Sequence, residues 1–327
     1  MTVQTIGIVA NPASGKDVRR LVARASVFDN REKCAIIRRA LSGAINAGGY
    51  KFAFLDDSHN IAGGALLELG EDCEADRVPS LGTSSVLDTI QGARNLKEIK
   101  PVATLILGGD GTSRAFVKGW RDSLLLPLST GTNNVFPRMS EATVAGAALG
   151  VLAAGGVSLE EVAVPVKIID VEIEGESPDL ALIDAVVTRD KFVGSRALLD
   201  GDMINRILLT RAEPTAVGMT AVGGLIRPTP EDEDAGLHLT LGRTGKHQVH
   251  APIAPGLYET LNVKKVEVTP FGKAIEFKGP CVLAFDGERE REIQAGQAVR
   301  MQISRSGPSV LDIDKTMHLA ANRRVFN

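Results

Sequence analysis

Residues 105–112 read Leu-Ile-Leu-Gly-Gly-Asp-Gly-Thr: an apolar run that stops at two glycines, a carboxylate, a third glycine and a hydroxyl. Lacking Cβ atoms, Gly108, Gly109 and Gly111 allow close backbone approach to a ligand. Consecutive N–H groups in such a turn form an anion-binding concavity. Asp110 beside it can accept a hydroxyl proton or face a metal, and Thr112 adds a donor; together these suit phosphoryl transfer. Asp-Gly after a strand is also an ordinary turn, so this stretch does not decide alone.

Two loops of similar make-up follow other apolar runs. Asn11-Pro12-Ala13-Ser14-Gly15-Lys16 follows Thr5–Ala10. It is not a Walker A loop, because Ala10 and Asp17 stand where that motif needs glycine and a hydroxyl. Small residues that open a helix still favour phosphate, and a plain strand–helix turn stays open as the other reading. Ser129-Thr130-Gly131-Thr132-Asn133-Asn134 follows Leu124–Leu128 and offers hydroxyls and amides to phosphates or a ribose. Loops past the carboxyl ends of strands line the ligand crevice of an open α/β sheet. Asp286 and Glu288, in Ala284-Phe285-Asp286-Gly287-Glu288, read either as a hairpin bend or as carboxylates for Mg²⁺ beside a phosphate. The histidines have no metal-ligand spacing, and no GxGxxG fingerprint is present.

The elements that must carry these loops alternate in type. Strands are expected at Thr5–Ala10, Lys51–Leu55, Pro101–Leu107 and Leu124–Leu128. Helices are expected at Asp17–Ala25, Arg31–Ala47 with Asn30 as N-cap, Ile61–Leu69, Ser84–Leu96, Ser113–Arg121 and Glu141–Ala154. That alternation predicts a parallel sheet covered by helices. After Gly155-Gly156 the pattern changes. Long strands are expected at Val162–Glu174 and Leu180–Thr188, and shorter ones at Leu237–Gly242, His247–Pro252, Val263–Thr269, Ala274–Phe277, Cys281–Phe285 and Ala298–Ile303. One helix is expected at Asp202–Arg211, and Glu231–Asp234 reads as a solvated loop. The fold class predicted is an α/β domain with a parallel sheet plus a β-rich, sandwich-like domain.

The 327 residues, 44% hydrophobic and 24% charged, suffice for two cores, and the net charge of −3 argues against a nucleic-acid partner. Three widely spaced cysteines point to reduced thiols and no zinc. Met1–Ala10 lacks the basic start of a signal peptide, and no run of about 18 apolar residues occurs. A cytoplasmic chain without a membrane partner is expected.

Gly108-Gly109-Asp110-Gly111-Thr112 resembles the signature shared by NAD kinases, diacylglycerol kinases, sphingosine kinases and 6-phosphofructokinases. Pro127–Asn134 resembles the PLGTGND segment of the lipid kinases, Pro252–Leu257 the PIxPHxL segment of NAD kinases, and Asp286-Gly287-Glu288 the DGQ or DGE element of both. Asn11–Leu21 with Val27–Asn30 resembles, within this superfamily, the acetoin catabolism protein X group. The resemblance implies an NAD kinase/diacylglycerol kinase-like fold: residues 1–155 bind nucleotide, 156–305 form the β-rich domain, and 306–327 return to the first. It implies ATP and Mg²⁺ as cofactors, a small-molecule acceptor for which NAD is one choice, and a homo-oligomer. Asp110 would be general base or metal-associated acid. Asn11, Ser14, Gly15, Lys16, Gly108, Gly109, Gly111, Thr112, Thr130, Gly131, Thr132 and Asn133 would hold nucleotide. Asp184 would face the acceptor, and Asp286 and Glu288 a metal. Two departures stand out: Ile183 replaces the asparagine that NAD kinases place before the acid, and Gly256 replaces their histidine. Besides a kinase acting on NAD or a metabolite, an inactive nucleotide-binding accessory protein of acetoin breakdown therefore stays open.

Overall fold

The structure is a computed structural model that describes residues 2–15, 29–131, 133–189 and 201–326. The helix expected at Asp17–Ala25 lies outside them. In chain order the first elements are β1 (Ile6–Ala10), α1 (Asn30–Asn46), β2 (Lys51–Leu55), α2 (Ile61–Leu69), β3 (Glu74–Val78), α3 (Val86–Ile99), β4 (Ala103–Gly108), α4 (Asp110–Gly119), β5 (Leu124–Ser129), α5 (Ala142–Ala153), α6 (Leu159–Val162) and β6 (Ala163–Pro165). The rest are β7 (Ile168–Ile173), β8 (Asp179–Ala181), β9 (Asp184–Thr188), β10 (Ile204–Leu209), α7 (Met219–Gly224), β11 (Ala235–Leu241), β12 (His247–Ala254), β13 (Leu257–Pro270), β14 (Ala274–Lys278), β15 (Cys281–Phe285), β16 (Glu288–Ile293), β17 (Ala298–Ser304), β18 (Ser309–Leu311) and α8 (Ile313–Asn322).

Strands β4 and β5 are buried along their whole length and carry unbroken apolar runs, as strands covered on both faces must. They are central in a seven-stranded sheet of order β3-β2-β1-β4-β5-β18-β6, whose first five strands are parallel. Its two faces bury separate cores, one against α1, α2 and α5 and the other against α3 and α4. Gly146 is required where α5 meets α1, because a Cβ there would collide with the Ala40 carbonyl. Strand β18, near the carboxyl end of the chain, pairs in parallel with β5, so the last segment completes the first sheet. The second part is a sandwich of a seven-stranded sheet, β12-β13-β11-β10-β9-β15-β16, and a four-stranded sheet, β14-β17-β7-β8. Ile169, Val171, Leu283, Phe285, Val299 and Met301 fill the space between them. No helix among the described residues is long and apolar enough to cross a membrane.

Several expectations need correction. The helix expected at Asp202–Arg211 is strand β10, whose Ile-Leu-Leu end pairs with β9 and β11 on either side. The strand expected at Val162–Glu174 is split at Pro165, which has no N–H to continue a ladder, and its two halves join different sheets. The strand expected at Leu180–Thr188 breaks at Leu182 and Ile183, whose N–H groups turn to a carboxylate instead. Helix α1 is capped by Asp29, which accepts from Glu32 N–H at 2.8 Å, and Asn30 is its first helical residue. In the acidic run 231–234, Glu231 accepts from Lys167 N–H at 2.8 Å, Glu233 pairs with Arg227 at 2.7 Å and Asp234 with Arg305 at 3.1 Å, so three of its four acids are tied to the fold.

The two parts are joined by one buried carboxylate. Asp179, at the start of β8, receives Arg114 and Lys118 from α4 at 2.8 and 3.0 Å and Arg291 from β16 at 3.0 Å. Burial works to raise its pKa, but Arg114 and Lys118 outweigh that and hold it below the usual carboxylate range. Removing the anion strands three cations around a buried site. Asp179→Ala is therefore expected to cost about 3–5 kcal/mol in urea unfolding, and a loss below about 1 kcal/mol would show that the cluster does not hold the parts together.

Candidate active site

Register places three loops side by side. Ala10 of β1 pairs with Leu107 of β4, and Gly108 of β4 pairs with Ser129 of β5, so the loops that follow share one edge of the sheet. They are stitched to one another. Asn11 Nδ2 donates to Thr112 Oγ1 at 2.8 Å, Thr130 N–H donates to the Gly108 carbonyl at 3.3 Å, and Asn134 Nδ2 donates to Ser129 Oγ at 2.7 Å. Gly108 cannot be replaced, because a Cβ there would lie 2.6 Å from the Thr112 side chain. Across the cavity, a Cβ on Gly111 would meet Glu288 Oε1 at 3.0 Å.

Asp110 opens α4, half-buried at the cavity wall. Its Oδ1 accepts from Phe136 N–H at 2.8 Å and Val135 N–H at 3.1 Å, and Oδ2 is 3.2 Å from the same Val135 nitrogen. The Val135 carbonyl accepts from Arg211 Nη2 at 2.8 Å, which ties this segment to the end of β10. Removal from water pushes the Asp110 carboxyl up to about 7; Asp286 adds to the rise, and the Phe136 and Val135 N–H groups and Arg211 oppose it. Asp286 sits opposite. Its φ of 49° and the 82° of Gly287 make the bend between β15 and β16, a left-handed pair suited to Asp-Gly. The carboxylate turns inward to accept N–H groups of Leu182, Ile183 and Asp184 at 2.9, 2.7 and 3.2 Å. Burial raises its pKa as well, against Arg114 and these three N–H groups.

Between the two parts lies a cavity of about 690 Å³. Of the sequence candidates, Asn11, Ser14, Gly15, Gly109, Asp110, Gly111, Thr112, Thr130, Asn133, Asp184, Asp286 and Glu288 line it. Gly108 lies behind Thr112, and Gly131 is held back by Ser129 Oγ at 3.2 Å. Lys16 and Thr132 lie outside the described residues. Thr130 Oγ1 and Asn133 Oδ1 are buried and find no hydrogen-bond partner among the described residues. Among those residues the charged groups of the wall are the acids Asp56, Asp57, Asp88, Asp110, Asp184, Asp286 and Glu288, with no lysine or arginine. No cluster of three or more His, Cys, Asp or Glu among them is arranged to hold a metal ion. Ile183 is 1% exposed and packs into the core under α4, so its side chain does not form the wall. Gly256 sits in a turn with φ 73° beside wall residues Pro255 and Leu257.

Residues of the site that sequence reasoning passed over are Asn134, Val217–Met219 and the acids after β2, all on the wall, and Arg211 behind it. Asn134 was within reach as the last residue of its loop. A single arginine after a strand carries no signal until the fold brings it to Val135.

The C-terminal half, residues 167–306, matches the family described as Acetoin catabolism protein X C-terminal domain. Over 299 residues, 87% of this chain and 83% of the other, the sequence is 32% identical to Acetoin catabolism protein X of Cupriavidus necator. Yeast NADH kinase, solved in complex with NADH, superposes with a TM-score of 0.55 at 12% identity, covering 100% of this chain and 89% of that one. That likeness shows an NAD kinase-like fold.

The raised value at Asp110 carries a stability consequence. Between about pH 4 and pH 7 the folded chain keeps a proton there that the unfolded chain has released, so this contribution is full below pH 4 and is lost as pH rises to 7. Asp110→Asn does not titrate. Its Tm relative to the unsubstituted protein is expected to climb across that interval and level off above it. A Tm difference independent of pH would mean that Asp110 is not a raised acid.

Proposed function

The chain belongs to the acetoin catabolism protein X family, and we propose that it is an ATP-dependent phosphotransferase of NAD kinase-like type, acting on a hydroxyl of NAD or of a small metabolite of acetoin breakdown. The observation that carries this reading is Asp110, fixed by backbone N–H groups at the cavity wall with a pKa of about 7. A group poised near working pH is suited to general base catalysis. Oδ2, whose described partner is the shared Val135 N–H, is the oxygen that takes the acceptor's proton while the hydroxyl oxygen bonds to the γ-phosphorus and ADP leaves. The nucleotide is supported by the cradle at Gly108–Thr112, where Cβ atoms are excluded, and by the unpartnered hydroxyl of Thr130. The acceptor would lie toward Asp184. NADH in the yeast enzyme makes a nicotinamide dinucleotide one candidate.

Mg²⁺ would offset the charge of the phosphates. Glu288, on the cavity wall, would be the carboxylate to hold it. Asp286 stands behind it as a fixed charge, since its oxygens already accept three N–H groups. A wall of carboxylates makes such a counterion a requirement for a triphosphate. We further propose a cytoplasmic homo-oligomer, in keeping with three free cysteines. The second reading is a nucleotide-binding accessory protein without turnover; it is favoured by the position before Asp184, where Ile183 turns into the core and offers an acceptor no side-chain amide.

Purified protein given ATP–Mg²⁺ with NAD, acetoin and short diols is expected to release ADP with at least one of them. Asp110→Asn should lower that rate by about 100-fold or more, the usual worth of a positioned base. ADP release unchanged in that variant removes Asp110 from the reaction. Nucleotide-dependent rise in Tm with no acceptor-stimulated release would favour the accessory reading. Chelating Mg²⁺ is expected to weaken ATP binding by at least about ten-fold, since like charges would then face each other across the cavity. Equal affinity with and without the ion would show that the acidic wall is not the phosphate side.

A further inference from the structure

Lys33, on α1, is fully buried at 0% exposure, although it is a lysine one turn into a helix. A buried ammonium is costly unless its donors are met. Here Nζ donates to the carbonyls of Asn11, Pro12 and Ser14 at 3.0, 2.9 and 2.6 Å and to Asn30 Oδ1 at 3.3 Å. Three carbonyls of one short loop thus converge on one side. In a trans peptide the N–H points opposite to the C=O of the same unit. The Gly15 N–H, which shares its unit with the Ser14 carbonyl, is therefore directed away from the ammonium, and Gly15, with φ 77°, lines the cavity. Within the loop the Ala13 N–H is taken by Asn11 Oδ1 at 2.9 Å and the Ser14 N–H by the Asn11 carbonyl at 3.3 Å, Pro12 has no N–H, and Asn11 Nδ2 reaches Thr112 beyond the Gly-rich turn, so Gly15 carries the backbone donor left to the cavity.

We infer that Lys33 is a positioning residue for phosphate: it draws the Asn11, Pro12 and Ser14 carbonyls inward and so leaves the Gly15 N–H to an anion in the cavity. The inference rests on the nucleotide-binding reading of the same site. The cation stays behind the loop and touches no ligand. It removes the carbonyl dipoles that would repel a phosphate, on a wall whose described charges are otherwise acids. A contrast within the chain separates this role from plain support. Lys167 is also buried, at 1% exposure, and its Nζ gathers the carbonyls of Pro230, Glu233 and Ala235 in the same manner. None of those three residues lines the cavity.

The test compares ADP, pyrophosphate and adenosine as probes on the full chain. Lys33→Met is expected to weaken ADP and pyrophosphate by at least about ten-fold, the scale seen when a group supporting metal ligands is removed, while adenosine changes little. Lys167→Met, which lowers stability by the same kind of loss, should leave the ADP-to-adenosine ratio as it was. In the unsubstituted protein, ADP and not adenosine should slow hydrogen exchange of the Gly15 amide, and this comparison decides if Lys33→Met does not fold. ADP bound as tightly by folded Lys33→Met, equal losses for ADP and adenosine, or no exchange protection of Gly15 by ADP would each overturn the inference while leaving nucleotide binding intact. A chain that binds neither ADP nor pyrophosphate overturns the functional reading first.

Discussion

Two carboxylates gripped by backbone N–H groups are the constraint around which the cavity is built. Asp110 is gripped by Val135 and Phe136, and Asp286 by Leu182, Ile183 and Asp184. Consecutive N–H groups can hold a carboxylate without adding a formal charge. The balance leaves both acids with raised pKa values because burial exceeds what the N–H groups return, and at Asp110 the Asp286 charge adds to the rise. Each grip forces an interruption in regular structure. The chain leaves its ladder at 182–183, and after β5 it turns so that 135 and 136 point back at α4.

Consecutive residues at the end of β10 support both grips from behind. The Thr210 Oγ1 donates to the Leu182 carbonyl at 2.8 Å and its N–H to that of Ile183 at 2.9 Å. Arg211 does the same for Val135. One strand end therefore braces the acid of the α/β part and the acid of the β-rich part together. The Asp179 cluster repeats the theme farther back, where Arg114, one turn along from Asp110, reaches β8. The two halves of the cavity are consequently set by the same contacts that join the two parts, and the separation of Asp110 from Asp286 is not free to vary with either one alone.

The central elements were legible because their apolar periodicity serves one purpose. Ile61–Leu69 and Cys281–Phe285 were read to the residue, and β4 and β5 to within two residues at their ends. Two of the strands missed are at edges. Strand β3 reads Glu-Ala-Asp-Arg-Val and β16 reads Glu-Arg-Glu-Arg-Glu-Ile. Charged edge strands guard a sheet against further pairing, and the same charges hide the strand from a search for apolar alternation. Strand β10 reads as a helix from sequence because Ile204, Ile207 and Leu208 fall at helical spacing and a run this short suits either period when the partners on both sides are unknown.

The sequence by itself determined the chemistry on offer: an acid set among glycines at Gly108–Thr112, hydroxyls at the end of β5, and an Asp-Gly bend at 286–287. These are local features, since turn conformation and ligand approach depend on the residue in place. How the acids are used is settled by pairings between distant segments. Asp286 reads first as a hairpin bend and second as a metal ligand, and in the fold it forms the bend and directs its oxygens to N–H groups about a hundred residues away in sequence. The depth of Asp110, the inward turn of Ile183, and the meeting of Lys33 and Arg211 with loop carbonyls all arise from pairings between distant segments. A side chain's solvent and partners are properties of the assembled core, and no single stretch of chain contains them.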